Sequence, residues 1–265
     1  LTSTAAGADI LLKGSKVTQV AGVSVQANAG DITYQVENSP WTADTEVALK
    51  VGDNDPSKIA IINAQGGNIS LTSSYAETGV NNSSVAVDLG IETVYAEIKT
   101  SGTGTIKING DAFNNASTTA NYIWGTVFRN GTLIQSDQGN ISIAGRAGKS
   151  FGNARGIASN TTDLTVVSSS GTITFTDTKP TGNPSYTGMY IKPSSDNAIK
   201  IGADGSLVGT SYSDIKVNAD RFQFDANSTE LNTSGTVTIQ PVGDDFSAAV
   251  TVSNLNLTNV SDLTI

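Results

Sequence analysis

The chain contains neither cysteine nor histidine. Without cysteine it has no disulfide framework, no thiolate metal site and no cysteine nucleophile. Without histidine it lacks the usual general base near neutral pH, the commonest metal ligand and the physiological pH switch. Because an enzyme would have to work without all of these groups, the two absences argue for a protein that is not an enzyme.

Charge is also scarce, since only 15% of the 265 residues are Asp, Glu, Lys or Arg, and the net charge is −9. The 15 Lys and Arg residues are scattered along the chain, whereas a nucleic-acid binder needs a basic patch that neutralises phosphates. Anionic membrane surfaces are disfavoured for the same reason. No stretch approaches the roughly 18 consecutive apolar residues of a membrane helix. Neither nucleic acid nor membrane insertion is therefore expected.

Gly, Ser, Thr and Asn are abundant and fall into a degenerate repeat. Phrases such as Gly67-Asn-Ile-Ser-Leu71 and Gly104-Thr-Ile-Lys-Ile108 place a short β-branched strand after a small turn residue. The first apolar residues of these phrases, at spacings of 30 to 37 residues, are Ile32, Ile69, Ile106, Ile141, Ile173, Leu207 and Val237. This spacing indicates a repeated supersecondary unit.

Each repeat contains two further apolar strands. One precedes the glycine, as at Val23–Val25, Ile59–Ile61, Leu164–Val166 and Ile199–Ile201. The other follows the first marker residue by 15 to 17 positions and is assigned to Val47, Val85, Ile123, Ile157, Met189, Phe222 and Val252. The strands alternate with period two, so Ile69 and Leu71 face one side while Ser70 and Thr72 face the other.

Three short strands with one apolar face each cannot bury that face alone, but a coil that stacks repeat upon repeat buries all of them in one thin core. The pattern predicts a parallel β-helix of about seven coils, with residues 1–265 forming a single segment. A β-sandwich is the alternative, although its strands would not recur as triplets at fixed offsets. The first and last residues are interpreted as interrupted phrases of a much larger protein.

The strand–Gly–strand phrases, together with Gly235-Thr-Val-Thr-Ile-Gln-Pro241 and Val260-Ser-Asp-Leu-Thr-Ile265, resemble the filamentous haemagglutinin-type large exoproteins. These include passengers of two-partner secretion and the giant repeat adhesins of bacteria. The resemblance covers essentially the whole chain. It implies a right-handed parallel β-helix (β-solenoid), secretion to the bacterial cell surface, and attachment to host or neighbouring-cell glycans or proteins. The family's amino-terminal secretion signature is not visible in this sequence, and the segment is expected to be monomeric.

Variable segments between the second and third strands predict loops that project from one edge of the rod, and such loops carry binding in repeat proteins. Aromatic residues lie in or beside them, and exposed rings would stack on sugars. The candidates for ligand binding are Trp41, Tyr75, Tyr122, Trp124 and Tyr186. The alternative is that these rings fold back and cover the edges of the coils.

Acidic residues offer two further possibilities. Asp53 and Asp55 have the oxygen ligands that calcium prefers, although Asp-Asn-Asp sequences are commonly turns, and no cofactor is otherwise expected. Paired carboxylates could serve a polysaccharide hydrolase, and arginines could serve a lyase. The acids are Asp88, Glu92, Glu97, Asp214, Asp220 and Asp225, and the basic residues are Arg129, Arg146, Arg155 and Arg221.

The sequence therefore predicts a structural and binding segment of a cell-surface adhesin. A β-helical polysaccharide lyase or hydrolase of the tailspike type is the alternative.

Overall fold

The computed structural model describes most of the chain, with gaps in several connections. The described residues are 1–39, 46–75, 79–80, 87–112, 115–116, 122–148, 153–159, 163–179, 186, 188–191, 199–202, 213–224, 229–246 and 256–265. Within these residues every regular element is a β-strand. None of them belongs to a helix long and apolar enough to cross a membrane.

The strands follow one another in short, regularly spaced segments. Those of the first half are β1 (Thr2–Ser3), β2 (Ile10–Gly14), β3 (Val17–Gln19), β4 (Ser24–Ala27), β5 (Ile32–Ser39), β6 (Glu46–Gly52), β7 (Ala60–Asn63), β8 (Ile69–Tyr75), β9 (Gly79–Val80), β10 (Val87–Val94), β11 (Ala96–Thr100), β12 (Ile106–Asp111), β13 (Asn115–Ala116) and β14 (Tyr122–Arg129). Those of the second half are β15 (Thr132–Ser136), β16 (Ile141–Arg146), β17 (Asn153–Ser159), β18 (Leu164–Ser168), β19 (Ile173–Thr178), β20 (Met189–Ile191), β21 (Ile199–Gly202), β22 (Ile215–Ala219), β23 (Phe222–Phe224), β24 (Thr229–Asn232), β25 (Thr236–Gln240), β26 (Asn256–Thr258) and β27 (Asp262–Thr264).

Three parallel sheets contain nearly all of these strands, and seven of the nine rungs contribute a described strand to each of the three sheets. Sheet 1 runs β1-β4-β7-β11-β15-β18-β21-β24-β26, and sheet 2 runs β2-β5-β8-β12-β16-β19-β22-β25-β27. Sheet 3 runs β3-β6-β10-β14-β17-β20-β23, and β9 pairs with β13 in a small fourth sheet. The predicted right-handed parallel β-helix with three strands per coil is thereby confirmed. Sheets 1 and 2 have nine strands each, two more than the seven coils predicted.

The register places equivalent apolar residues directly above one another. Ile69 pairs with Ile32 on one side and Ile106 on the other, as predicted, and all three are buried. The next inward column contains Tyr34, Leu71 and Ile108, while Ser70 and Thr72 face outward. Full burial of each large aliphatic side chain stabilises the fold by about 1.5–3 kcal/mol. One thin core therefore extends along the whole rod.

The corner between sheets 1 and 2 explains the recurring glycine. The hydroxyl of Ser136 donates to the carbonyl of Gly104 on the previous rung at 2.7 Å and accepts from the N–H of Gly139 at 2.9 Å. Ser168 makes the same two contacts one rung later. A Cβ atom on Gly139 would lie 1.9 Å from the carbonyl oxygen of Gly104. Only glycine permits the backbones of successive rungs to approach this closely.

Two strand assignments made from the sequence are wrong in detail. Leu207 lies outside the described residues, and Ile215 pairs with both Ile173 and Val237, so Ile215 occupies the rung assigned to Leu207. In β7 the buried residues are Ala60 and Ile62, whereas Ile59 is 41% exposed. Consecutive apolar residues leave the phase of a strand ambiguous, and a one-residue shift moves every side chain to the other face.

The third-strand markers are also not all in register. Leu89 pairs with Val47 and with Trp124, so Ile123 lies one position away from the place assigned to it. The inward position of this sheet is occupied by Leu49, Ile91, Thr126 and Ile157. Of the other markers, Met189 and Phe222 pair with each other as predicted, while Val85 and Val252 lie outside the described residues.

Candidate functional site

Sheet 3 is apolar on both faces near its centre. In β14, Ile123 and Phe128 belong to the main core, whereas Trp124 and Val127 belong to a second cluster with Leu89 and Ala158. We call this second group the outer sheet 3 cluster. Its four members are at most 5% exposed. Burial on both faces is typical of parallel sheets that are covered on each side.

Arg155 lies beside the outer sheet 3 cluster and contacts two aromatic rings. Its rung partner is Trp124, and its guanidinium carbon is 5.1 Å from the centroid of that ring. The same carbon lies 3.7 Å from the centroid of Tyr190, two rungs from Trp124. Cations over aromatic faces are attracted by the ring quadrupole, most strongly where solvent is excluded. Arg155 therefore connects three successive rungs on this face.

Glu92 forms the charged counterpart on the same face. Its carboxylate lies 2.8 Å from Nε of Arg129 and 3.6 Å from Nζ of Lys50, and the residue is only 7% exposed. Lys50 pairs with Glu92 on the neighbouring strand, so the register of the sheet brings the two side chains together. Two cations therefore compensate the charge of the buried carboxylate, and Glu92 serves as part of a structural ion-pair cluster.

Asp177 is a buried acid at the junction of sheets 2 and 3. In β19 it alternates with Ile173 and Phe175, so its side chain points inward. Its carboxylate accepts hydrogen bonds from the N–H of Ile157 at 2.9 Å and from the hydroxyl of Tyr186. Burial, with a smaller contribution from the nearby charge of Asp220, raises the pKa of Asp177 to about 7 against the opposing effect of its hydrogen bonds. Burial likewise raises the pKa of Tyr186.

The space around Asp177 is set by glycines. Asp177 is paired with Gly145, and a Cβ atom on Gly145 would lie 1.9 Å from the carbonyl oxygen of Gly156 on sheet 3. The two sheets are therefore in backbone contact one rung below the acid. A side chain enters this junction at Asp177, where Tyr186 packs against Ala147 and Ala154.

The aromatic residues predicted to stack on sugars are mainly buried. Tyr75 is 2% exposed and its hydroxyl donates to the carbonyl of Leu89 at 2.7 Å. Trp124 is 5% and Tyr186 is 6% exposed. The prediction of exposed rings is wrong for these three residues, and the alternative, that the rings cover the coil edges, describes them. Trp41 and the side chain of Tyr122 lie outside the described residues.

The predicted calcium ligands lie in a turn. Asp55 accepts hydrogen bonds from the N–H and hydroxyl of Ser57 at 3.0 and 2.6 Å and forms an ion pair with Lys58 at 3.2 Å. The hydrogen bond from the Ser57 side chain is the main cause that lowers the pKa of Asp55. Asp53 accepts from the N–H of Asn54 at 2.6 Å. Among the described residues no group of three acids is placed to hold a metal, and calcium binding stays a prediction.

The remaining acids considered for glycan cleavage also have structural partners. Asp214 accepts from the N–H of Thr236 at 2.9 Å, and Asp220 accepts from two successive backbone N–H groups, those of Val242 and Gly243, at 2.8 and 3.0 Å. Glu97 forms an ion pair with Lys99 at 2.6 Å. The side chains of Asp88 and Asp225 lie outside the described residues.

The outer face of sheet 2 is open and polar. Two columns of its outward residues, which we call column 1 and column 2, contain one residue from each of nine and eight rungs, respectively. Column 1 consists of Leu11, Thr33, Ser70, Lys107, Ser142, Thr174, Lys216, Thr238 and Thr264. Column 2 consists of Lys13, Gln35, Thr72, Asn109, Ala144, Thr176, Asn218 and Gln240. Neither column contains an acid, but a third outward column consists of Ser74, Asp111, Arg146 and Thr178.

Comparison with known proteins gives no relative. No family model, no curated protein and no solved structure matches this chain. The resemblance to filamentous haemagglutinin-type exoproteins therefore stays a prediction.

Sequence reasoning missed the roles of Asp177 and of column 1. Period-two alternation from Ile173 places Asp177 on the inward face, so that signal was available in the sequence. Column 1 becomes visible only once Ile215 replaces Leu207 as a rung marker, because only then does Lys216 align with Thr174. The interpretation of Arg155 as a lyase base likewise missed its contact with Trp124, which depends on a register that the sequence assigned wrongly.

Proposed function

We propose that this chain is a structural and binding segment of an adhesin that is secreted to the bacterial cell surface. The observation that carries the proposal is the continuous stack of nine rungs, which extends for about 38 Å at the usual spacing between strands. Backbone ladders join every rung to the next, and side chains such as Ser136 and Asn68 add bonds between rungs. Such a rod holds its outer faces at fixed distances from its ends.

The outer faces suit a protein that makes many weak contacts. Most positions of column 1 and column 2 present hydroxyl or amide groups on successive rungs, and most of these groups are partly exposed. A ligand with its own repeat can engage several equivalent positions at once. Repeated contacts multiply affinity without any single strong site. Attachment to glycans or proteins of host or neighbouring cells would use this property.

The placement of the acids favours a scaffold over the polysaccharide hydrolase or lyase considered from the sequence. Glu92, Asp214 and Asp220 each have cationic or backbone partners that hold successive parts of the coil together. A glycosidase requires instead an acid that is available as a proton donor beside a second carboxylate.

A glycan and extracellular-matrix array, incubated with the 265-residue chain in the presence and absence of a chelator, tests the proposal. Retention on one or more ligands without shortening of the glycan chains is the expected result. Loss of retention in chelator would add a metal to the site. Cleavage of an arrayed glycan, or no retention on any surface, would overturn the proposal.

A further inference from the structure

The chain contains two Asn-Gly pairs, Asn109-Gly110 and Asn130-Gly131, and the structure places them in different surroundings. Asn109 and Gly110 lie inside β12, which is paired with β8 on one side and with β16 on the other. Asn130 and Gly131 lie between β14 and β15, at the corner where sheet 3 leads into sheet 1. The same chemical groups are therefore present once in a central strand and once in a turn.

The backbone nitrogen of Gly110 is fixed by its neighbours. Its buried N–H donates to the hydroxyl of Thr126 at 3.0 Å. Gly110 is also in backbone contact with sheet 3, since a Cβ atom at this position would lie 2.1 Å from the carbonyl oxygen of Gly125. Rotation of the peptide between Asn109 and Gly110 would break this hydrogen bond and push the two sheets apart. The nitrogen therefore cannot reach the side chain of Asn109.

The backbone nitrogen of Gly131 is less constrained. Asn130 and Gly131 are both partly exposed, and both have left-handed backbone with φ of 27° and 66°. Among the described residues no acceptor is hydrogen-bonded to the N–H of Gly131. The carbonyl oxygen of Asn130 accepts from the N–H of Tyr95 at 2.6 Å, which polarises the peptide and makes the N–H of Gly131 more acidic. Glycine also has no side chain that would obstruct the approach of this nitrogen to the amide of Asn130.

We propose that Asn130 is a site of covalent modification, at which the folded chain converts this asparagine to aspartate and isoaspartate without an enzyme. The backbone nitrogen of Gly131 loses its proton to solvent and bonds to Cγ of Asn130, while the Cγ–Nδ2 bond breaks and Nδ2 takes up a proton and leaves as ammonia. Water then adds to one of the two carbonyl carbons of the succinimide ring. The bond between that carbon and the ring nitrogen breaks, so the ring opens to a free carboxylate.

The modification changes the corner between sheets 3 and 1 in two ways. It adds a negative charge beside Arg129, whose Nε contacts Glu92 at 2.8 Å. In the isoaspartate product the main chain runs through the side-chain carbon, so one extra backbone atom enters the connection between β14 and β15. The hydrogen bond from Tyr95 and the position of its ring beside Gly131 both depend on the length of this connection.

The test incubates the intact chain at mildly alkaline pH in water enriched in heavy oxygen, because ring opening in this solvent labels each carboxylate that forms. Peptide mass spectrometry then measures the label at positions 109 and 130. In the folded chain Asn130 should react at least about tenfold faster than Asn109, whose reaction requires opening of β12. In a parallel sample unfolded in urea the two positions should react at similar rates, because neither nitrogen is then held by the fold.

Two variants provide a matched comparison. Asn130→Gln should abolish the reaction at position 130, because its longer side chain disfavours ring closure, whereas Asn109→Gln should leave that reaction unchanged. Isoelectric focusing detects the added charge, so a first acidic species should accumulate in the unmodified chain and in Asn109→Gln but not in Asn130→Gln.

Equal rates at the two positions of the folded chain, or absence of label at position 130, would overturn the inference. Formation of the first acidic species in Asn130→Gln at the rate of the unmodified chain would overturn it as well. The comparison of folded and urea-treated samples needs only the unmodified chain, so the test does not depend on the folding of either variant. The proposed function is independent of this result, since it concerns the outer faces of the sheets.

Discussion

The side-chain oxygen of Asn68 accepts two hydrogen bonds from Thr105 on the next rung, one from its backbone N–H at 3.0 Å and one from its hydroxyl at 2.8 Å. Asn68 in turn donates to Asp31 on the preceding rung through its backbone N–H at 2.8 Å and its side-chain amide at 3.1 Å. These residues lie in the turn before sheet 2. The turn is therefore joined from rung to rung by side chains.

Replacement of Asn68 by alanine should lower the free energy of unfolding by about 1 kcal/mol, because it removes the acceptor for Thr105 and a donor to Asp31. Urea unfolding followed by circular dichroism measures the change. Ser70→Ala is the matched control, since Ser70 lies two residues later and faces outward from sheet 2; its effect should stay within about 0.5 kcal/mol. Equal effects of the two substitutions would show that the turn contact contributes nothing.

Gly139→Ala tests the close approach at the corner between sheets 1 and 2. The added Cβ would lie 1.9 Å from the carbonyl oxygen of Gly104, so the backbone of one rung must shift. The free energy of unfolding should fall by about 2 kcal/mol or more. At Gly243 the nearest atom to an added Cβ is 3.9 Å away, and Gly243→Ala should change stability by less than about 0.5 kcal/mol. A tolerated alanine at Gly139 would contradict the steric role of this glycine.

The repeat could be predicted from sequence because its strongest signals are local. A small residue followed by alternating β-branched residues, as at Gly67 and Gly104, identifies both the turn and the inward face of sheet 2. As predicted, equivalent positions on successive rungs are occupied by Ile32, Ile69, Ile106, Ile141 and Ile173. The repeat spacing predicted the wrong residue for the rung after Ile173, because a long connection intervenes and Ile215 follows Ile173 by 42 residues.

Sheet 3 was harder to predict because its strands do not alternate. In β14 both faces are buried, so apolar residues occur at Ile123, Trp124, Val127 and Phe128, and period two gives no phase. The candidate binding residues were predicted less well than the strands, because the exposure of an aromatic ring depends on which residues pack over it. Trp124 is covered in a way that only the three-dimensional structure shows.

Arg155→Gln should loosen the outer sheet 3 cluster, because the cation over the rings of Trp124 and Tyr190 is lost. Stability should fall by about 1 kcal/mol. In a Trp41→Phe background Trp124 is the remaining tryptophan, so acrylamide quenching of its fluorescence measures how well the ring is shielded from solvent. Quenching should rise in Arg155→Gln and rise less in Arg155→Lys, which keeps the charge. Unchanged quenching and stability would show that Arg155 makes no net contribution to this face.

Asp177 should make stability depend on pH. Its pKa in the folded chain is raised from an ordinary value of 3.8 to about 7, so the folded state binds more protons than the unfolded state between these values. Unfolding free energy from this group is therefore greatest at low pH and is lost as pH rises through about 7. The groups that influence Asp177 electrostatically are Tyr186 and Asp220, and Arg221 acts on Tyr186.

Asp177→Asn removes the titration, so the loss of stability between about pH 5 and about pH 8 should be smaller in this variant than in the unmodified chain. Urea unfolding at several pH values measures the two slopes. Asp245→Asn is the control, because it removes one carboxylate from an exposed position. Comparing slopes separates titration from packing: a badly accommodated asparagine would lower stability at every pH without altering the dependence. Parallel profiles for the unmodified chain and Asp177→Asn would mean that Asp177 remains ionised when buried, with its hydrogen bonds from Ile157 and Tyr186 outweighing the cost of desolvation.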